Sequence, residues 1–177
     1  MAPLASLLDF LPEEPMVPVP YYEYPEYTGY IRDVENAGQA GKSDQLWYEH
    51  KSPEGGRGTI GYGHKLVGNE DYGEGLTDTQ VDELLVGDLK KADGIVRKEL
   101  GTDYNKLGNR GLQMLNELVF NMGTTRKFPK FVRGLVAGDE GVMGKEYKRS
   151  YKKGAKRIPL TRRNQKFAEF FKLKTGK

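Results

Sequence analysis

The sequence predicts an α+β fold: a small N-terminal lobe built on a β-hairpin or meander, a long helix, and a helical C-terminal lobe. Three observations carry this. Gly58 to Leu66 alternates apolar and β-branched residues with glycines, the pattern of a short strand whose backbone something approaches closely. From Leu76 to Leu100 the apolar positions recur at helical spacing behind a clear start signal. Beyond Gly108 the apolar periodicities are helical throughout.

Residues 1–29 read as a separate, extended arm. Prolines at 3, 12, 15, 18, 20 and 25 alternate with Tyr21, Tyr22, Tyr24 and Tyr27, which disfavours helix and favours polyproline-like chain. The tyrosines suit docking onto another protein, since purely flexible linkers rarely carry aromatics. A helix is expected from about Thr28, with Ile31 and Val34 on its apolar face and Glu35 near its end, before Asn36-Ala37-Gly38 breaks it. A carboxylate placed there and partly buried has its pKa raised, as a general acid requires.

The turn chemistry of Ser52-Pro53-Glu54-Gly55-Gly56 makes Leu46 to Leu66 a hairpin, with Leu46 to His50 as its first strand, Thr59 just past the turn and His64 at the far end. Thr77 and Gln80 form a capping box, and Val81, Leu84, Leu85, Leu89, Ala92, Ile95, Val96 and Leu100 carry the long helix to about Leu100. Leu112 to Met122 is apolar on most faces, a buried core helix ended by Gly123. Phe128 to Leu135 and Val142 to Lys152 suggest two more helices, and Thr161 is a candidate N-cap for a last one through Phe171.

Composition excludes several classes. The chain of 177 residues has no cysteine, so disulfides, thiolate metal sites and cysteine nucleophiles are ruled out. Two histidines, His50 and His64, are too few for a convincing metal centre, and no metal or cofactor is expected. No apolar run reaches the ~20 residues of a membrane span. The N-terminus lacks a basic n-region, so the expected place of synthesis is a cytoplasm, without a secretory signal. The net charge of +3 hides an asymmetry: acidic residues dominate 1–35, whereas 142–177 holds thirteen lysines and arginines against Glu146 and Glu169. That basic end favours a polyanion. Without aromatic interleaving or a nucleic-acid motif, no specific nucleic-acid binding is expected.

Four stretches, in order and at sensible separations over roughly residues 30–171, resemble the phage T4-type lysozymes. Thr59-Ile60-Gly61-Tyr62-Gly63-His64 fits the family's Thr-Ile-Gly-x-Gly-His strand. Leu76-Thr77 through Asp88 to Ala92 aligns with the start of its inter-lobe helix. Val119 to Gly123 is similar to its central helix, and Leu160-Thr161-Arg162-Arg163 to the beginning of its last. The resemblance implies an arm over 1–29 and a lysozyme-like domain over 30–177, divided into a hairpin lobe (30–75), an inter-lobe helix (76–100) and a helical lobe (101–177). It also implies an inverting muramidase that cleaves bacterial peptidoglycan, either a free endolysin or a virion-borne lysozyme docked to another virion protein through the arm.

The family triad is a Glu, an Asp or Cys nine residues on, and a Thr six beyond that. Carried over, Glu35 is the acid and Thr59 the water-positioning residue, but they stand twenty-four apart. Aligning on the first strand puts His50 in the second position; counting from Glu35 gives Asp44 as the alternative, and Glu54 is a third candidate with a loop-tip place. Asn121 and Arg162 match cleft-lining, substrate-binding positions. His64 and Asp88 match a structural pair that pins strand to helix. The missing Asp also supports a different class of function, a lysozyme-fold structural or wall-binding module without catalysis.

Overall fold

The computed structural model describes residues 19–51, 58–153 and 155–175. Among these, six helices surround the core: α1 (Pro25–Asn36), α2 (Asp78–Leu100), α3 (Asn109–Met122), α4 (Pro129–Ala137), α5 (Glu140–Glu146) and α6 (Thr161–Phe170). The strands are short antiparallel pairs: β1 (Lys42–Ser43) with β2 (Leu46–Trp47), β3 (Thr59–Ile60) with β4 (His64–Lys65), and β5 (Ser150–Lys153) with β6 (Lys156–Pro159). No helix among the described residues is long and apolar enough to cross a membrane.

The start of the chain departs from the expected arm. Pro25 opens α1 at its first turn, where the missing N–H costs nothing and the fixed φ suits a helix. Tyr21, Tyr22 and Tyr27 are buried in the main core. The Tyr27 hydroxyl reaches Gln113 O at 3.1 Å and Asn116 Oδ1 at 3.0 Å, while Tyr21 donates to Asp93 at 2.6 Å. The aromatic residues that suggested a docking arm are therefore wall material of the domain itself. The remainder of the expected arm, residues 1–18, lies outside the described residues, as does the turn around Glu54.

The long helix is one unbroken element. Thr77 caps it by accepting from the Gln80 amide, and Gln80 returns a bond to the Thr77 amide. α2 separates two cores. The small one comprises Trp47, Ile60, Leu66, Leu76 and Val81; the large one gathers α1, the rest of α2, α3 and the C-terminal helices. Gly61, at φ +62°, lies so close to α2 that a Cβ there would sit 2.4 Å from Val81, which explains the glycine at the hairpin bend.

Two C-terminal expectations need correction. The helix foreseen over Val142 to Lys152 stops at Glu146, and a β-hairpin follows. Thr161 is the first residue of α6 rather than its cap; Leu160 holds the cap position without a side-chain bond. The hairpin is tied to α6 by two reciprocal bonds, Arg149 N to Asn164 Oδ1 and Asn164 Nδ2 to Arg149 O, both at 2.9 Å.

Candidate active site

α1 ends against the hairpin, and a single amide fixes the junction. Asn36 Nδ2 donates to Gly61 O at 2.8 Å and to Ala40 O at 3.0 Å, and its Oδ1 accepts from the Ala40 amide. Glu35, the residue before it, is thereby aimed into a cleft of about 380 Å³ lined also by His50, Thr59, Asn121 and Arg163. The chain thus brings together Glu35, His50 and Thr59 from distant positions, as well as Asn121.

Glu35 is largely buried, and Arg163 grips it with two bonds of 2.7 and 2.9 Å. Burial pushes its carboxyl pKa up, and the negative Glu117 adds to the rise; the Arg163 charge and a hydrogen bond from Asn121 oppose it without cancelling it. Behind the cleft stands a fully buried ion pair. Arg149 Nη1 lies 2.6 Å from both Glu117 oxygens, and Asn121 Nδ2 donates to Glu117 Oε1 at 3.2 Å. Asn121 is therefore held by Glu117 from behind while it faces Glu35.

His50 and Thr59 form a directly opposed pair, exchanging backbone bonds of 2.8 and 2.9 Å. The hairpin expected between Leu46–His50 and Gly58–Leu66 does not form as such: Leu46–Trp47 pairs with β1, Thr59–Ile60 pairs with β4, and His50 meets Thr59 through an isolated bridge. Their side chains meet at Thr59 Oγ1 and His50 Nε2, 3.3 Å apart. The tautomer decides the sense of that contact. A bare Nε2 accepts from the hydroxyl and offers a proton route from water through Thr59 to the imidazole. An Nε2–H instead donates to Thr59 and acts as a clamp. Nδ1 is buried without a hydrogen-bond partner among the described residues. It faces Gly41, where a Cβ would come within 2.6 Å of it, and where φ is +83°.

Asp44 does not join this group. It sits exposed at φ +49° in the turn between β1 and β2, its carboxylate 3.5 Å from Ser43 Oγ, and it does not line the cleft. Arg162 also stands elsewhere: it is exposed and lines a separate depression with Val34 and Pro159. The arginine at Glu35 is its neighbour Arg163. Sequence reasoning missed Arg163, Glu117 and Arg149; the double arginine at 162–163 was the available signal, and helical register decides between its members.

His64 Nδ1 lies 2.6 Å from Asp88 and Nε2 lies 3.1 Å from Glu70. The hydrogen bond to Asp88 raises the histidine pKa despite its burial. This contact joins β4 to α2, outside the Glu35 cleft. Glu70 was not foreseen.

The phage lysozyme family model matches residues 46–166, more than half of the chain. The chain belongs to the phage lysozyme family. The matched span includes His50, Thr59, His64, Asp88, Asn121 and Arg163, and begins after Glu35. Membership makes this a lysozyme-like protein of the glycoside hydrolase class. Solved structures share its fold, two of them as follows. One is the muramidase domain of SpmX from Asticaccaulis excentricus, with TM-score 0.61 and 20% identity over 86% of this chain and 97% of that one. The other is the endolysin of Escherichia coli O157:H7 phage FAHEc1, with TM-score 0.63 and 16% identity over 84% and 90% respectively. No curated protein matches this family member.

Proposed function

We propose that this protein is a peptidoglycan muramidase that cleaves the β-1,4 bond between N-acetylmuramic acid and N-acetylglucosamine. One observation carries the reading: a buried carboxyl with a raised pKa shares one cleft with a threonine–histidine pair from the facing hairpin. Glu35, whose carboxyl pKa burial raises, gives its proton to the leaving glycosidic oxygen. Thr59 holds a water on the opposite side of the sugar. In the tautomer with a bare Nε2, His50 takes the proton that the attacking water releases. The transition state is oxocarbenium-like, so orienting the water matters more than a strong base. Asn121 and Arg163 hold the glycan and the acid. On this reading 30–75 and 101–177 are the two lobes that enclose the glycan, and α2 joins them. The enzyme is made in a host cytoplasm and acts on the wall, as a free endolysin or from the virion. Docking to a virion protein then falls to residues 1–18, because Tyr21, Tyr22 and Tyr27 are occupied in the core.

A second reading is favoured by a specific feature. Among the described residues that line the cleft, Glu35 is the single carboxylate. With His50 as an Nε2–H clamp, the fold serves as a wall-binding or structural virion protein without turnover. Turbidity loss of permeabilised cells or purified peptidoglycan separates the two. Wild type is expected to lyse, Glu35→Gln to be inactive, and Asp44→Asn to match wild type. His50→Gln, which keeps a donor but not a base, is expected to lose most activity. An inactive wild type would sink the enzymatic reading, and an inactive Asp44→Asn with active His50→Gln would return the second role to Asp44.

A further inference from the structure

The His50 imidazole has no hydrogen bond to orient it from behind. A catalytic histidine is ordinarily aimed through its other ring nitrogen, which bonds a carboxylate or a carbonyl. Here Nδ1 is buried and has no such partner among the described residues. At the front, Nε2 lies 3.3 Å from Thr59 Oγ1, longer than the roughly 2.9–3.0 Å of a typical bond. The second side-chain torsion of histidine has broad wells, so one long contact does not fix the ring.

What backs the ring is main chain. Asn36, the last residue of α1, is followed by two tight turns, closed by Gln39 N to Asn36 O and Lys42 N to Gln39 O, each at 3.0 Å. The Asn36 amide braces this loop from within, accepting from Ala40 N at 2.8 Å and donating to Ala40 O at 3.0 Å. That fixes Gly41, whose carbonyl accepts from Tyr48 N at 2.8 Å. Gly41, at φ +83°, lies against the histidine: a Cβ there would sit 2.6 Å from Nδ1, 3.3 Å from Cγ and 2.5 Å from Tyr48 O. Only a hydrogen fits in that space. The same Asn36 amide also holds Gly61 O, two residues beyond Thr59. One side chain thus braces the main chain behind both members of the pair. Residues 36–41 lie before the span 46–166 that matches the phage lysozyme family model.

We propose that Gly41 and Asn36 are positioning residues: the 36–41 loop is a steric backstop that keeps His50 Nε2 on Thr59, the task a hydrogen-bonded carboxylate performs for other catalytic imidazoles. Gly41 acts by contact, and Asn36 acts by holding Gly41. The proposal rests on the muramidase reading, in which Thr59 and His50 manage the attacking water. It also accounts for the unpartnered Nδ1. A backstop orients the ring without adding a second carboxylate to a cleft in which Glu35 is the single one among the described lining residues.

The test uses the full chain, whose histidines number two, so His64, outside the cleft, is an internal reference for His50. Imidazole NMR signals are recorded for Gly41→Ala and Asn36→Ala, with Gln39→Gly as the control in the same loop; Gln39 has φ +49°, which glycine adopts freely. The first two variants are expected to move the His50 ring signals and leave His64 in place, and the control to move neither. On soluble glycan strands, Gly41→Ala is expected to lower kcat about a hundredfold, the scale of a misplacement of about 1 Å, with KM nearly unchanged. In a His50→Gln background the same change should cost nothing further, because its route through His50 is gone. Asn36→Asp, which keeps the acceptor for Ala40 N and loses both donors, takes the same measurements if Gly41→Ala does not fold. Unmoved His50 signals, equal movement with Gln39→Gly, an unchanged kcat, or a full further loss in the His50→Gln background would overturn the proposal. A wild type without hydrolysis sinks the muramidase reading instead, and the His50 signals then decide alone whether the loop holds the ring.

Discussion

Arg149→Met isolates the charge pair behind the cleft. The substitution removes both 2.6 Å contacts and leaves Glu117, wholly inaccessible to solvent, without its cation. Asn121 still reaches one oxygen at 3.2 Å, but an amide does not neutralise a charge. Breaking a buried pair on one side costs about 3–5 kcal/mol. Some packing survives, because methionine keeps an unbranched stem near Phe167, over which the guanidinium now sits at 5.0 Å. At roughly 2–4 °C per kcal/mol for a chain of this size, the melting temperature should fall by about 6–20 °C. The companion Glu117→Leu/Arg149→Met removes both charges and should return to within about 2 kcal/mol of wild type, since apolar replacements of buried pairs are often neutral. Urea unfolding of the four proteins completes the cycle. A loss under about 1 kcal/mol for Arg149→Met, or a double variant as unstable as the summed singles, would refute the claim that the pair acts as one unit. Lytic activity of Arg149→Met below its folded fraction would add that Glu117 needs its partner to hold Asn121.

Glu35→Gln should raise stability at neutral pH. The folded carboxyl pKa lies above its ordinary value, so its protonated form stabilises the fold at low pH and that contribution is lost as pH rises through the folded value. The gain from Gln should therefore vanish on acidification; urea midpoints across pH would show it, and a loss at neutral pH would contradict it. For His64, whose folded pKa is raised, the stabilisation is full below the ordinary 6.5 and fades as pH climbs through the folded value. Burial pushes the Asp88 carboxyl up, but its bonds from His64 and Lys91 hold it below the usual range, and Glu70 is lowered by the Val67 amide and His64. Their contribution is therefore lost on acidification, so the deficit of His64→Asn should be greatest at mildly acidic pH and shrink on both sides; a flat profile in thermal melts would count against the ionic contact. Deleting residues 1–27 removes Tyr21, Tyr22 and Tyr27 from the core. At about 3–5 kcal/mol per large buried aromatic, against a typical 5–15 kcal/mol for a whole domain, the chain should fail to fold by circular dichroism.

Where one residue's local signal agrees with its tertiary fate, the sequence was readable. The Thr77–Gln80 box started α2 where expected, and Glu35, His50 and Thr59 met in one cleft; the glycines of 58–63 marked a backbone closely approached by a helix, although the single strand expected over Gly58–Leu66 is bent there into the β3–β4 hairpin. The failures are as specific. Choosing Arg162 over Arg163 is a register error, since one residue turns a helix face by about 100° and α6 began one position off its expected cap. Tyr147, Tyr151 and Ile158 carry too little periodicity to separate a short helix from a hairpin, and the bonds that settle it, between Arg149 and Asn164, span fifteen residues. Prolines 20 and 25 argued against helix, yet a proline at a helix start is favourable, and no local signal says that the tyrosines beside them fill a core eighty residues away.

The division into two cores bears on how this protein would fail when heated. Glu35 belongs to α1, whose Tyr27 and Ile31 are set in the large core, while Thr59 precedes Ile60 of the five-residue small core. Few buried side chains mean a low free energy of local opening, so the hairpin should open first. The acid would then remain in place on a folded body that has lost its facing wall. Asn36, with its bond to Gly61 O, is a hinge pin between parts of unequal durability, and heat inactivation would begin there, well before the molecule as a whole lets go.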